Sequence, residues 1–102
     1  MRIEISTATY NPRRYGRPWV ALVTFDADGK PQYAWGNWIG RPGDAGTLVV
    51  QANPGDVVAE GQRDNRGGNT GNQWYLVGED GTLSAINRVH AWQHWTARLE
   101  MA

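Results

Sequence analysis

The chain lacks cysteine altogether and holds one lysine, one phenylalanine and no surplus charge of either sign. Without cysteine there is no disulfide framework and no thiolate metal site. No apolar run approaches the roughly 20 residues that a membrane helix needs. The opening Met1-Arg2-Ile3-Glu4-Ile5 sets charges inside its apolar stretch, unlike a secretory leader. The expectation is a soluble cytoplasmic protein with no membrane partner. Ten basic residues balance ten acidic ones, which argues against strong global attraction to a polyanion.

What the chain does have is aromatic area and glycine. Six Trp and four Tyr in 102 residues supply large apolar surfaces for one core. That length accommodates a single domain spanning 1–102 and not two. Thirteen glycines and five prolines stand between short apolar runs, the punctuation of strands rather than helices. The runs fall at 2–7, 18–25, 32–39, 47–52, 57–62, 73–77 and 82–86. In the second, Trp19, Ala21, Val23 and Phe25 share one face, and Gly36 in the third marks a bulge. Asp28-Gly29, Pro54-Gly55 and Asp80-Gly81 mark tight turns.

Near the end the period changes. Val89, Trp92, Trp95, Thr96 and Leu99 recur at helical spacing, Asn87 suits the N-cap, and a helix over about 88–100 is expected. The fold class is therefore mainly β. It is a small bent antiparallel barrel or sandwich of about six or seven short strands with one C-terminal amphipathic helix.

If the strands run up and down, their connections alternate between two ends. The loops at 11–17, 40–46 and 63–72 carry Arg13, Arg14, Arg17, Arg41, Arg63 and Arg66 against Asp44 and Asp64. The turns at 26–30, 53–56 and 79–81 carry Asp26, Asp28, Asp56, Glu79 and Asp80 against Lys30. A neutral chain would then have a basic end with long loops and an acidic end with short turns, and binding loops tend to be long. Nine of the ten basic residues are arginine, suited to planar or stacked contact with phosphate and carboxylate. A GC-rich coding bias gives the same count.

The segment from Tyr10 to Trp19 interleaves Arg13, Arg14 and Arg17 with Tyr10, Tyr15 and Trp19. Guanidinium groups neutralise phosphates while aromatic faces stack on unpaired bases, so this composition suits single-stranded nucleic acid. Trp19 fits equally well as a core residue of the second strand. The Arg63-to-Gly68 tract lacks the Gly-Lys-Ser/Thr and the helix of a phosphate loop, so a mobile loop is expected there. His90 and His94, four apart on the helix, lack a third ligand and are read as surface residues on the face away from the Trp stripe. Asp26-Ala27-Asp28-Gly29 opens like a calcium loop, but Asn37 stands where the closing Glu is required. Ser6 and Ser84 have no activating elbow or histidine nearby in sequence.

No nucleophile, base, metal site or cofactor motif emerges, so a non-enzymatic binding module is expected. Its binding residues are Arg13, Arg14, Tyr15, Arg17, Arg41, Arg63 and Arg66, and RNA or single-stranded DNA is its partner. The alternative is a protein-interaction or assembly module, such as a small accessory or phage-type regulator. It would turn the same surface to an acidic partner or self-associate head to tail. A pocket lined by Trp35, Trp38 and Trp74 is a third, weaker expectation.

Overall fold

The computed structural model describes residues 1–7, 17–38, 46–63 and 69–101. Seven strands and a helix appear in the order β1 (Arg2–Thr7), β2 (Arg17–Phe25), β3 (Pro31–Trp38), β4 (Gly46–Gln51), β5 (Val57–Arg63), β6 (Asn69–Val77), β7 (Leu83–Ile86) and α1 (Arg88–Met101). All strand pairs are antiparallel and fall into two sheets, a β1–β4 ribbon and a five-stranded sheet ordered β3-β2-β5-β6-β7. The two layers form a sandwich-like arrangement, and the sheet does not close into a barrel.

Alternation explains the layers. On β1 and β4, Ile3, Ile5, Leu48 and Val50 point inward and meet Val20, Val58 and Val77 from one face of the large sheet. The opposite face carries Trp19, Ala21, Val23, Phe25, Val57, Ala59 and Trp74, and α1 lies against it through Ala91. The β2 strand is thus buried on both faces, which explains its near-continuous apolar run (burial is broken only lightly at Leu22 and Thr24).

The turns form as the sequence predicts. Gly29, Gly55 and Gly81 sit at φ of 78°, 87° and 83°, the left-handed region that only glycine enters without a Cβ penalty. In each turn a neighbouring carboxylate takes up a backbone donor. Asp26 Oδ1 accepts from the Lys30 N–H at 2.9 Å, Asp56 Oδ2 from Asn53 at 2.7 Å, and Asp80 Oδ1 from Thr82 at 3.1 Å.

Two expectations from the sequence are corrected. The stretch 63–72 is not one loop, because β5 runs on to Arg63 and β6 already begins at Asn69. A bulge accommodates this extension: Gly71 and Asn72 together face Gly61 of β5. The helix also buries a different stripe. Val89 and Leu99 are 63% and 58% exposed, while Ala91 is fully buried and Trp92 and Trp95 pack beside it.

Two polar side chains, His94 and Arg98, account for that rotation. His94 is half-buried rather than a surface residue, and its Nε2 lies 2.7 Å from the Gly55 carbonyl, which only an N–H can serve. Arg98 Nη1 donates to the same carbonyl at 2.7 Å and to Asp56 Oδ1 at 3.0 Å. Periodicity counts only apolar side chains and therefore misses a face built partly from His and Arg. Asn87 does cap the helix, its Oδ1 accepting from the His90 N–H at 2.8 Å.

Gly36 joins the two sheets. With Asn37 it faces the single residue Val20 of β2, forming the expected bulge. A Cβ at Gly36 would stand 2.8 Å from the Val49 carbonyl oxygen, 3.1 Å from Val20 Cγ2 and 3.2 Å from Val50 Cβ. Two of those neighbours belong to β4, so a side chain here would force the ribbon off the sheet. Gly36→Ala is expected to cost about 1–3 kcal/mol in urea denaturation, the usual range for overpacking. Gly46→Ala, with no atom within 4 Å of the added carbon, should change stability little. Equal stability of the two variants would contradict this packing.

Candidate functional site: an aromatic face bordered by arginine

Small side chains in the middle of the large sheet create this face. Ala21 pairs with Ala59 and Trp19 with Gly61 across β2 and β5, leaving a shallow trough on the face that α1 partly covers. Large rings from the flanking strands lean over it. Tyr33 on β3 and Trp74 on β6 belong to strands about 14 Å apart, three spacings of the sheet, yet their ring centroids are 6.4 Å apart.

Around them the rings interlock. Trp19 meets Tyr33 edge-on at 5.8 Å and Trp35 edge-on at 5.0 Å. Tyr33 and Trp35 stack at 5.5 Å and 14°. Such pairs add about 0.5–1.5 kcal/mol each beyond burial. Trp19 is 1% exposed, and among the described residues its indole N–H finds no hydrogen-bond acceptor, which carries a desolvation cost.

The helix divides this face in two. At the short-turn end, Phe25 contacts Trp92 at 5.5 Å and Trp95 at 6.2 Å, and α1 covers them. Beyond the helix lie Trp19, Tyr33, Trp74 and Trp35, the last 47% exposed. The start of α1 does not reach the strand ends that carry Arg17 and Arg63: β7 stops at Ile86, opposite Trp74 in mid-sheet, and α1 runs back to the turn at Gly55.

Arg17 and Arg63 stand directly opposite one another in the β2–β5 register. Alternation places both on the aromatic face, two residue pairs beyond Trp19 and Gly61, and both are exposed. The other expected binding residues, Arg13, Arg14, Tyr15, Arg41 and Arg66, lie outside the described residues. The strand ends next to them do sort as expected. Thr7 of β1 pairs with Gly46 of β4, and Arg63 of β5 pairs with both Arg17 of β2 and Asn69 of β6. At the opposite end, Met1 lies against Gly81 and its carbonyl accepts from the Ala52 N–H.

That opposite end is less acidic than its composition implies. Asp26, Asp56 and Asp80 are engaged in building their turns, and Arg98 of α1 adds a positive charge against Asp56.

Two further features escaped the sequence reading. Arg88, at the start of α1, comes close enough for its charge to act on the Tyr33 hydroxyl. Between them lies a hollow of about 410 Å³ bordered by Tyr33, Gln73, Trp74, Ile86, Asn87 and Arg88. Trp35 borders a different hollow, with Gly36 and Val49. Trp74 thus borders the first of these hollows and Trp35 the second, and the Trp38 side chain lies outside the described residues. Nothing in the chain's sequence separation marks Arg88 as a neighbour of Tyr33, since the contact depends on strand order. Among the described residues no group of three or more His, Asp or Glu side chains comes together as a metal site.

No protein-family model, curated protein or solved structure matches this chain.

Burial pushes the Tyr33 hydroxyl above the ordinary tyrosine value of 10.0, against the lowering influence of the Arg88 charge and a hydrogen bond with Trp74. Tyr75, on the other face, is raised by burial and by its hydrogen bond to Glu60 at 2.9 Å. With both values raised, the folded chain keeps protons that the unfolded chain sheds above about pH 10. Stability from these groups is full below that pH and falls as pH rises towards the folded values. Urea denaturation from about pH 9 to about pH 11 should show this loss, and a Tyr33→Phe/Tyr75→Phe double variant should show a shallower one. An equally steep decline in the double variant would contradict the assignment.

Proposed function

We propose that the protein is a non-enzymatic binding module that engages single-stranded RNA or DNA across the uncovered half of its aromatic face. One observation carries this reading. The cross-strand pair Arg17 and Arg63 shares a sheet face with the Tyr33–Trp35 stack, and Trp35 is nearly half exposed.

The chemistry fits an unpaired strand better than a duplex. A base offers two π faces, and stacking on an aromatic side chain contributes about 1–3 kcal/mol per base whatever the sequence. The bases of a duplex are already stacked on each other and offer no such face. A phosphate seated between two guanidinium groups gains from both, and arginine's planar fork suits it. Arg13, Arg14, Tyr15, Arg41 and Arg66 lie outside the described residues; the strand ends that flank them in sequence lie at this end, and we propose these five residues as further contacts.

Anisotropy titration of a labelled oligouridylate or oligothymidylate of about twelve nucleotides, within the usual range of site sizes, tests the reading. Affinity is expected to fall steeply with salt. In Arg17→Ala/Arg63→Ala the slope of log K against log salt should shrink by about 0.7, the value for the one phosphate that the pair shares on a single strand. The double variant should retain the fold, because both side chains are exposed. Wild-type protein that binds neither oligonucleotide but captures an acidic protein would replace this reading with the protein-interaction one.

A further inference from the structure

We infer that the hollow bordered by Tyr33, Gln73, Trp74, Ile86, Asn87 and Arg88 is a nucleotide subsite at the far end of the bound strand, with Arg88 holding its phosphate. The inference rests on the single-strand reading and deepens it, since neither Arg17 nor Arg63 borders this hollow.

Three features of the site converge. It is an open hollow of about 410 Å³ rather than an enclosed cavity, as suits one nucleotide of a longer strand. One wall is aromatic: Trp74, only 8% exposed, meets Tyr33 edge-on at 6.4 Å, and Tyr33 in turn meets Trp19 edge-on and stacks on Trp35. A strand stacked on Trp35 can therefore continue over Tyr33 towards Trp74 without leaving the aromatic surface. The other wall carries charge. Arg88 is exposed and, among the described residues, engages no carboxylate in an ion pair, while its field already reaches the Tyr33 hydroxyl.

The helix then sets a limit. Past Trp74 the face is occupied by Phe25, Trp92 and Trp95, so a strand arriving from Arg17 and Arg63 cannot run straight on beneath α1. It ends or turns outward at the first turn of the helix, where Arg88 stands. A cation there meets the last phosphate that the face can accept. Gln73 shares this site, its Nε2 donating to the Trp74 carbonyl at 3.1 Å, which leaves its Oε1 directed elsewhere to accept from a base.

The same anisotropy titration, run on Arg88→Ala and Arg88→Lys with Lys30→Ala as a control, tests the subsite. Lys30 is an exposed cation in the turn at 26–30, away from the proposed path. In Arg88→Ala we expect about tenfold weaker binding, the scale of a lost charged hydrogen bond, and a salt slope smaller by about 0.7. Arg88→Lys should keep the slope while losing part of the affinity, because a lysine preserves charge but not the planar fork. Lys30→Ala should bind like wild type. If wild type binds and depends on Arg17 and Arg63 but is indifferent to Arg88→Ala, the subsite is wrong and the larger reading stands. Equal losses in Arg88→Ala and Lys30→Ala would reduce Arg88 to general charge and also overturn it. Absence of any wild-type binding would remove both.

Discussion

The architecture depends on the small residues at the centre of the large sheet. Ala21, Ala59 and Gly61 occupy facing positions on β2 and β5, and their lack of bulk lets rings from β3 and β6 meet across two intervening strands. A sheet face with large residues in those positions would hold the rings apart, each standing upright on its own strand. With the trough, Trp19, Tyr33, Trp35 and Trp74 instead form one continuous layer. The helix α1 covers the layer over Phe25, and outside it the exposed part is Trp35, with Tyr33 half-buried beside it and two exposed arginines on the same sheet face.

The helix is held by polar contacts as much as by apolar ones. Ala91 lets its axis approach the sheet, and Trp92 and Trp95 fill the space over Phe25. His94 and Arg98 converge on the carbonyl of Gly55, with Asp56 as the counter-charge to Arg98. The short-turn end thereby becomes a structural end. Its carboxylates shape turns and receive the helix, and the exposed arginines Arg17 and Arg63 stand at the other end of the β2–β5 pair. This division of labour makes the arginine-bearing end the functional candidate and weakens head-to-tail pairing through the acidic one.

Much of the fold was legible because it is local. Turn chemistry at Asp28-Gly29, Pro54-Gly55 and Asp80-Gly81, alternation in β1 and β2, and the Asn87 cap each depend on a few neighbouring residues. The bulge at Gly36 could be read for the same reason, though not its cause, which is the approach of β4. The helix face was misjudged because His94 and Arg98 belong to the packed side and carry no hydrophobic signal. The site was legible only in part. Arg17 and Arg63 follow from alternating strand ends, whereas the Tyr33–Trp74 contact and the closeness of Arg88 require the order β3-β2-β5-β6-β7. In that order β4 leaves the large sheet to pair with β1, and no local pattern announces it.

The aromatic layer makes the central claim measurable ring by ring. Each tryptophan contributes one indole N–H resonance to a nitrogen–proton correlation spectrum, and a titration with single-stranded oligonucleotide separates the two halves of the face. Shifts are expected at Trp35 and Trp74, with Trp92 and Trp95 beneath the helix unchanged. Shifts confined to Trp92 and Trp95, or none at a saturating concentration, would contradict the claim that the uncovered half of this face is the binding surface.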